Sequence, residues 1–140
     1  MKKLVIILCI AFGVQAHSQK AITWFDLSVG ISWKPGGFGF KEAEFSPEMR
    51  ALEGKQVVIT GYFLTLGTSQ SVYLLSKNPM ASCFFCGASG PETIMELQLI
   101  DKPSYVTDDV ITAKGILRLN SDDPGHCYYR IEEAEAISLN

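Results

Sequence analysis

Lys55-Gln56-Val57-Val58-Ile59-Thr60-Gly61-Tyr62-Phe63-Leu64-Thr65-Leu66 is dense in β-branched and aromatic side chains, the types that suit a pleated, half-buried surface. Val57, Ile59, Gly61 and Phe63 share one face, and Val58, Thr60, Tyr62 and Leu64 share the other. This period of two predicts a long strand over 55–66, with Gly61 permitting a bend in its interior. Gly67-Thr68-Ser69-Gln70 is a hairpin-sized turn, and Ser71–Leu75 returns as a second strand.

Beyond it, Lys77–Pro91 is a loop rich in Pro, Gly, Ser and Asn. Thr93–Ile100 reads as a third strand, with Ile94, Glu96, Gln98 and Ile100 opposite Thr93, Met95, Leu97 and Leu99. Asp101–Asp108 connects, and Pro103 stops the strand from continuing. Val110–Leu119, with Gly115 inside it, is the fourth strand. After the polar turn Asn120–Gly125, His126–Leu139 holds the fifth, with Tyr129, Ile131 and Ala136 as core candidates. Five strands with bends at Gly61 and Gly115 predict an all-β fold, a small five-stranded OB-like barrel over 46–140. An open five-stranded sheet or a sandwich is the alternative.

Upstream of the barrel the pattern is less regular. Ser46-Pro47-Glu48-Met49 opens a short helix, because Ser46 can cap, Pro47 fits the first helical position and Glu48 suits the positive end. Gly54 ends it, with Leu52 as the buried contact. Residues 19–45 form an N-terminal cap segment expected across a barrel end. In it Trp24-Phe25-Asp26-Leu27 starts a helix or a strand, and Lys34-Pro35-Gly36-Gly37 turns.

Residues 1–18 read as a cleaved signal peptide: Lys2 and Lys3, the apolar run Leu4–Val14, then small residues allowing cleavage after Ala16 or Ser18. That run falls short of the roughly 20 residues a spanning helix needs, so no stable membrane insertion is expected after cleavage. Ile6-Ile7-Leu8-Cys9 departs from a lipobox because Leu8 is not small. The expected location is therefore periplasmic or secreted, and not as a lipoprotein. A formal charge of −3, more negative once Lys2 and Lys3 are removed, repels phosphate backbones and excludes nucleic acid as a partner.

Of the 4 cysteines, the signal takes Cys9 and leaves Cys83, Cys86 and Cys127. Cys83-Phe84-Phe85-Cys86-Gly87 has the shape of a metal knuckle, two thiols aimed at one ion with glycine easing the turn. Tetrahedral zinc needs two further ligands; Cys127, His126 and Glu92 are the candidates, with His17 as another if retained. Adjacent strand residues point to opposite faces, so His126 and Cys127 both ligate only if the Gly125 turn distorts the strand. Zn2+ is the first expectation and Cu+ the second, with Met80 and Met95 as additional soft donors. A Cys83–Cys86 disulfide, redox-active or structural, is the alternative that export allows. Phe84 and Phe85 read as core or a cover for the site.

Other clusters read as ordinary surface. Asp108-Asp109 and Asp122-Asp123 are expected as solvated turns, with calcium binding as the alternative; Glu132-Glu133-Ala134-Glu135 as an exposed edge; and Trp24 and Trp33 as cover for the barrel end, with a ligand surface as the alternative. No phosphate loop, nucleophile elbow or His-Glu-x-x-His occurs, so nothing supports a hydrolase.

Leu52-x-Gly54-Lys55-x-Val57-x-Ile59-x-Gly61-Tyr62, Tyr73-Leu74-Leu75-Ser76, Ala81-Ser82-Cys83-Phe84-Phe85-Cys86-Gly87, Gly90-Pro91-Glu92, Gly115-x-Leu117-x-Leu119-Asn120 and Tyr129 carry a resemblance over about residues 22–138. The chain resembles a family of exported bacterial domains of unknown function and OB-fold type, with a cysteine-bearing loop before the third strand. In better-populated relatives that loop looks like Cys-x-His followed by prolines; here it is Cys-x-x-Cys-Gly. The resemblance implies an accessory role in metal handling or export beside an ABC-type envelope transporter. The expectation is thus a non-enzymatic, exported metal-binding accessory protein, against a thiol–disulfide protein or a disulfide-stapled interaction module.

Overall fold

The computed structural model describes residues 18–37, 41–67 and 72–139, apart from the side chain of Phe85. In chain order it contains β1 (Lys20–Ala21), α1 (Trp24–Val29), β2 (Ile31–Pro35), β3 (Lys41–Phe45), α2 (Pro47–Arg50), β4 (Gln56–Leu66), β5 (Val72–Ser76), β6 (Ile94–Leu99), β7 (Val110–Leu119) and β8 (Tyr129–Ser138). The expected signal peptide lies outside the described residues except for Ser18, and His17 and the turn at 68–70 lie outside them too. Among the described residues no helix is long and apolar enough to cross a membrane.

Five strands close on themselves in the order β4–β5–β6–β8–β7 and back to β4. The pairs are antiparallel except β6 with β8, which is parallel. This is a small OB-like barrel. Closure is made by β4, which pairs with β7 over Gln56–Tyr62 and with β5 over Tyr62–Leu66. Gly61 sits where the strand passes from one neighbour to the other. A methyl group there would lie 2.6 Å from the Ser76 carbonyl oxygen and 2.9 Å from the Trp24 ring, so the bend requires a residue without Cβ.

Alternation separates two apolar clusters. Val57, Ile59, Phe63, Leu75, Met95, Leu97, Ile111, Leu117, Tyr129 and Ile131 fill the barrel. The opposite face of β4, β5 and β6 presents Leu64, Leu74 and Ile94, which form a second cluster with Cys83. In register, Leu64 lies beside Leu74 and Leu74 beside Glu96, so one continuous outer surface carries the second cluster and leads to a carboxylate.

The N-terminal segment is more ordered than its sequence pattern suggests. Thr23 and Asp26 form a reciprocal capping box on α1. Leu27 is fully buried in the main core, where its carbonyl accepts the Tyr129 hydroxyl at 2.7 Å. Strands β2 and β3 form a separate antiparallel hairpin in which Trp33 pairs with Ala43; it is held to the barrel by Ala43 N–H donating to the Ser121 carbonyl at 2.7 Å. This hairpin is not among the elements expected from the sequence, although Ile31 and Trp33 alternate with Ser32 and Lys34, and Ala43 and Phe45 with Glu42 and Glu44. Helix α2 follows expectation, with Ser46 Oγ accepting from Met49 N–H at 3.1 Å and Gly54 at φ 77°.

Strand β8 begins at Tyr129, later than the sequence suggests, and carries a bulge. Its register against β7 shifts between Lys114 and Ile116, and Glu133 has φ 49°. The bulge reverses the alternation, so that Tyr129 and Ile131 point inward and Ala134 then follows them into the core. Ala136 is only partly buried against that core. Glu132 is no solvated edge residue, because it accepts from Arg118 Nε at 2.8 Å and Arg130 Nη2 at 3.0 Å.

Candidate functional site

The loop between β5 and β6 folds back over the outer apolar cluster. Its neck is tied by Lys77 N–H to the Thr93 carbonyl at 2.9 Å, and by Asn78 Nδ2 to Ser89 Oγ at 2.8 Å, which itself donates to the Ser82 carbonyl at 2.9 Å. Asp108 anchors its far side, accepting from Met80 N–H at 2.8 Å. Asp109 accepts from Val106 N–H at 2.9 Å and Asp123 from Gly125 N–H at 2.8 Å. These carboxylates therefore serve loop geometry.

Within this frame the chain makes two successive 3-10 turns, Met80–Ser82 and Phe84–Cys86, joined at Cys83. A 3-10 turn brings residues i and i+3 to the same side. Cys83 N–H reaches the Met80 carbonyl at 3.4 Å, and Cys86 N–H reaches the Cys83 carbonyl at 3.1 Å. Met80, Cys83 and Cys86 thus stand in one sulfur row. Cys83 Sγ lies 3.8 Å from Met80 Sδ, and Cys86 Sγ donates to the Met80 carbonyl at 2.9 Å. Gly87 closes the second turn at φ 73°, a left-handed conformation that glycine adopts without strain.

The thiols are not alike. All three are free; Cys83 is buried and Cys86 exposed, with Cys127 between. The Cys86 thiol is pushed upward by the desolvation it retains and then by the neighbouring Cys83 thiol. Burial, with the Glu96 carboxylate adding to it, pushes Cys127 up to about 12. Neither shift is the lowering that marks an activated thiol nucleophile.

These shifts give an ordered expectation for alkylation. Exposed Cys86 is modified first by iodoacetamide, and Cys127 stays slow until the pH approaches about 12. Because folding raises the Cys127 value, its contribution to stability is complete below the ordinary thiol range and is lost as pH rises toward about 12. Peptide mass mapping at stepped pH checks the order. Rapid Cys127 labelling near pH 8 in folded protein would contradict this placement.

Cys127 packs against the same outer cluster as Cys83 and Met80, but its polar neighbours belong to another group. Because β8 starts later than expected, His126 and Cys127 lie in the preceding loop and strand alternation does not separate them. Glu96, on β6, gathers both: its carboxylate takes His126 Nδ1 at 3.0 Å and the Cys127 N–H at 3.2 Å. Glu92 turns the other way, its carboxylate folded against Gly90 and its charge felt by Tyr129 at the α1 end. The structure therefore brings Cys83, Cys86 and Met80 together, sets Cys127 at the edge of the same apolar cluster beside His126 and Glu96, and turns Glu92 away from both groups. Among the described residues no group of three His, Cys, Asp or Glu side chains is gathered as a metal site.

The sequence reading named Met80 as a soft donor without the geometric reason. The signal is its spacing, Met80, Cys83 and Cys86 each three residues apart. In the sequence Glu96 is one position of a strand face, and the signal that marks it is a lone acid among Ile94, Met95 and Leu97. Phe84, in the loop's second turn, is 37% exposed, a partial cover at most, and the Phe85 side chain lies outside the described residues. No protein-family model matches the chain, and no curated protein matches its sequence.

Proposed function

We propose that this chain is a non-enzymatic metal-binding accessory protein that holds one thiophilic ion in the sulfur row of Met80, Cys83 and Cys86, with Cu+ favoured over Zn2+. The observation that carries this reading is the convergence of two thiols and a thioether in two linked turns, with Cys83 Sγ 3.8 Å from Met80 Sδ. Thiolate with thioether is a soft set that selects Cu(I), whereas structural zinc asks for four donors of Cys, His or carboxylate type. Both thiols bind as thiolates, so loading releases protons and weakens in acid. Zinc remains the second ion to test, with Cys127 as the donor it would recruit.

Export to the envelope is supported by the pattern of residues 1–18, and service to an ABC-type transporter by the resemblance of the loop and strand segments.

A native mass spectrum of reduced protein, loaded anaerobically with Cu(I) and separately with Zn(II), tests the proposal. One retained copper, displaced by protons as pH falls, is the expected result. An as-purified mass lighter by about two hydrogens, in a protein that binds neither ion after reduction, would replace the proposal with a disulfide-stapled module. Stoichiometric zinc with no copper would return the site to a zinc-binding one.

A further inference from the structure

Glu96 and His126 stand at one pole of a groove of about 760 Å³ on the outer face of β5 and β6, within the range of small-molecule sites. Leu74, Phe84 and Ile94 form part of its wall, together with Trp33 and Tyr128. The last two rings meet edge-on at 4.7 Å. The sulfur row takes no part in this site beyond the position of Phe84.

The polar end has a defined sense. Glu96 is only 16% exposed, and both its oxygens lie 3.0 Å from His126 Nδ1. One of them also accepts the Cys127 N–H at 3.2 Å. An ionised carboxylate accepts hydrogen bonds and donates none, so Nδ1 must carry the proton. In the neutral imidazole Nε2 is then a lone-pair acceptor. Among the described residues no hydrogen bond engages Nε2. The groove has aromatic and aliphatic walls and, at one end, the His126 ring backed by the Glu96 carboxylate.

We infer that this groove binds a flat, largely apolar small molecule carrying one hydrogen-bond donor, of which a phenol is the simplest class, with the donor on His126 Nε2 and the ring among Trp33, Phe84 and Tyr128. Lys41 lines the groove as well as Glu96, so net charge does not select the ligand, whereas a purely apolar one leaves Nε2 unpaired. Glu96 acts as a positioning residue, since it fixes the tautomer of the ring that meets the ligand.

The position of the Cys127 N–H makes this testable. In a Glu96→Gln variant the amide oxygen is claimed by the Cys127 N–H, which turns the amide NH2 toward His126 Nδ1. Nδ1 then accepts, the proton moves to Nε2, and the groove offers a donor where it offered an acceptor. The measurement is Trp fluorescence titration of the whole chain near pH 8 with 2-naphthol, naphthalene and 2-acetylnaphthalene, alongside 15N NMR of the imidazole.

Wild type should bind 2-naphthol about tenfold tighter than naphthalene, the effect of one net hydrogen bond, with Nε2 unprotonated. His126→Leu should abolish that preference while still binding naphthalene, which also shows that the variant is folded. Glu96→Gln should transfer the preference to 2-acetylnaphthalene and protonate Nε2. Equal affinity for all three probes in wild type would overturn the proposal. So would a naphthol preference that survives His126→Leu.

Discussion

Replacing Gly115 with alanine is expected to lower the unfolding free energy by about 3 kcal/mol, at the upper end of overpacking costs, and the melting temperature by about 10 °C or more. The cause is local. A methyl group at Gly115 would lie 2.5 Å from the Glu132 carbonyl oxygen, 2.6 Å from Ile131 Cγ2 and 3.1 Å from the Ala134 Cα. Two of these atoms are backbone, and they belong to the bulge where β7 and β8 lose register. The strand cannot retreat, because β8 is also paired with β6 on its other side. Relief would have to come by straightening the bulge, which would turn Ala134 out of the core and drive Glu133 toward it. Gly37, with nothing within 4 Å of an added methyl, is the control, and its alanine variant should change stability by less than about 0.5 kcal/mol. Urea unfolding of the two variants decides the matter. A Gly115→Ala cost below about 1 kcal/mol would mean that the bulge is soft and that its register is set elsewhere.

That bulge also marks where the sequence stops being readable. A period of two can be followed strand by strand, and with Gly61 and Gly115 inside otherwise regular strands it favours a small barrel over an open sheet or sandwich, a choice that the β4–β7 pairing makes. The phase of β8 cannot be followed in the same way. Inserting one residue at Glu133 reverses every position after it, and Glu132-Glu133-Ala134-Glu135 contains no glycine or proline to announce the change. The left-handed Glu133 shows that tertiary packing, with room opposite at Gly115, overrides local preference. The N-terminal hairpin was missed for a different reason. Its alternation is present but short, and Pro35-Gly36-Gly37 drew the reading toward irregular chain.

The site divides along similar lines. The Cys83-x-x-Cys86 pair and the loop that carries it were legible from composition and spacing. The partners were not, because they depend on which strands adjoin. The parallel pairing of β6 with β8 sets Glu96 opposite Arg130 and so brings it near the His126-Cys127 loop. No spacing in the sequence encodes that neighbourhood. Cys127 accordingly looked like a third metal thiol, although in the fold its amide and sulfur both face a carboxylate. Met80 is the opposite case, since its position three residues before Cys83 becomes a geometric statement once both segments are 3-10 turns.

Cys86→Ser is expected to lower Cu(I) affinity about a thousandfold, equivalent to roughly 4 kcal/mol, whereas Cys127→Ser leaves it unchanged. Cys86 is one of only two thiolates in the sulfur row, and a serine hydroxyl neither ionises near neutrality nor matches the softness of the ion. The fold should tolerate this change because Cys86 is exposed. The equivalent change at Cys83 would put a hydroxyl among Leu64, Leu74 and Ile94, where an unpaired polar group costs roughly 1–3 kcal/mol, and it would confuse binding with stability. Met80→Leu keeps the volume and removes only the thioether, so a loss of about tenfold is expected, small beside that of a thiolate. Competition against a colorimetric Cu(I) chelator measures all three variants under one set of conditions. The Cys127 variant carries the most information, because Cys127 shares the apolar cluster with Cys83 and Met80 but directs its polar contacts to Glu96. If its loss weakened copper binding as much as loss of Cys86, the ion would have to draw the loop before β8 toward the sulfur row. The metal would then be organising the site, and a preformed two-turn cradle would be the wrong description of it.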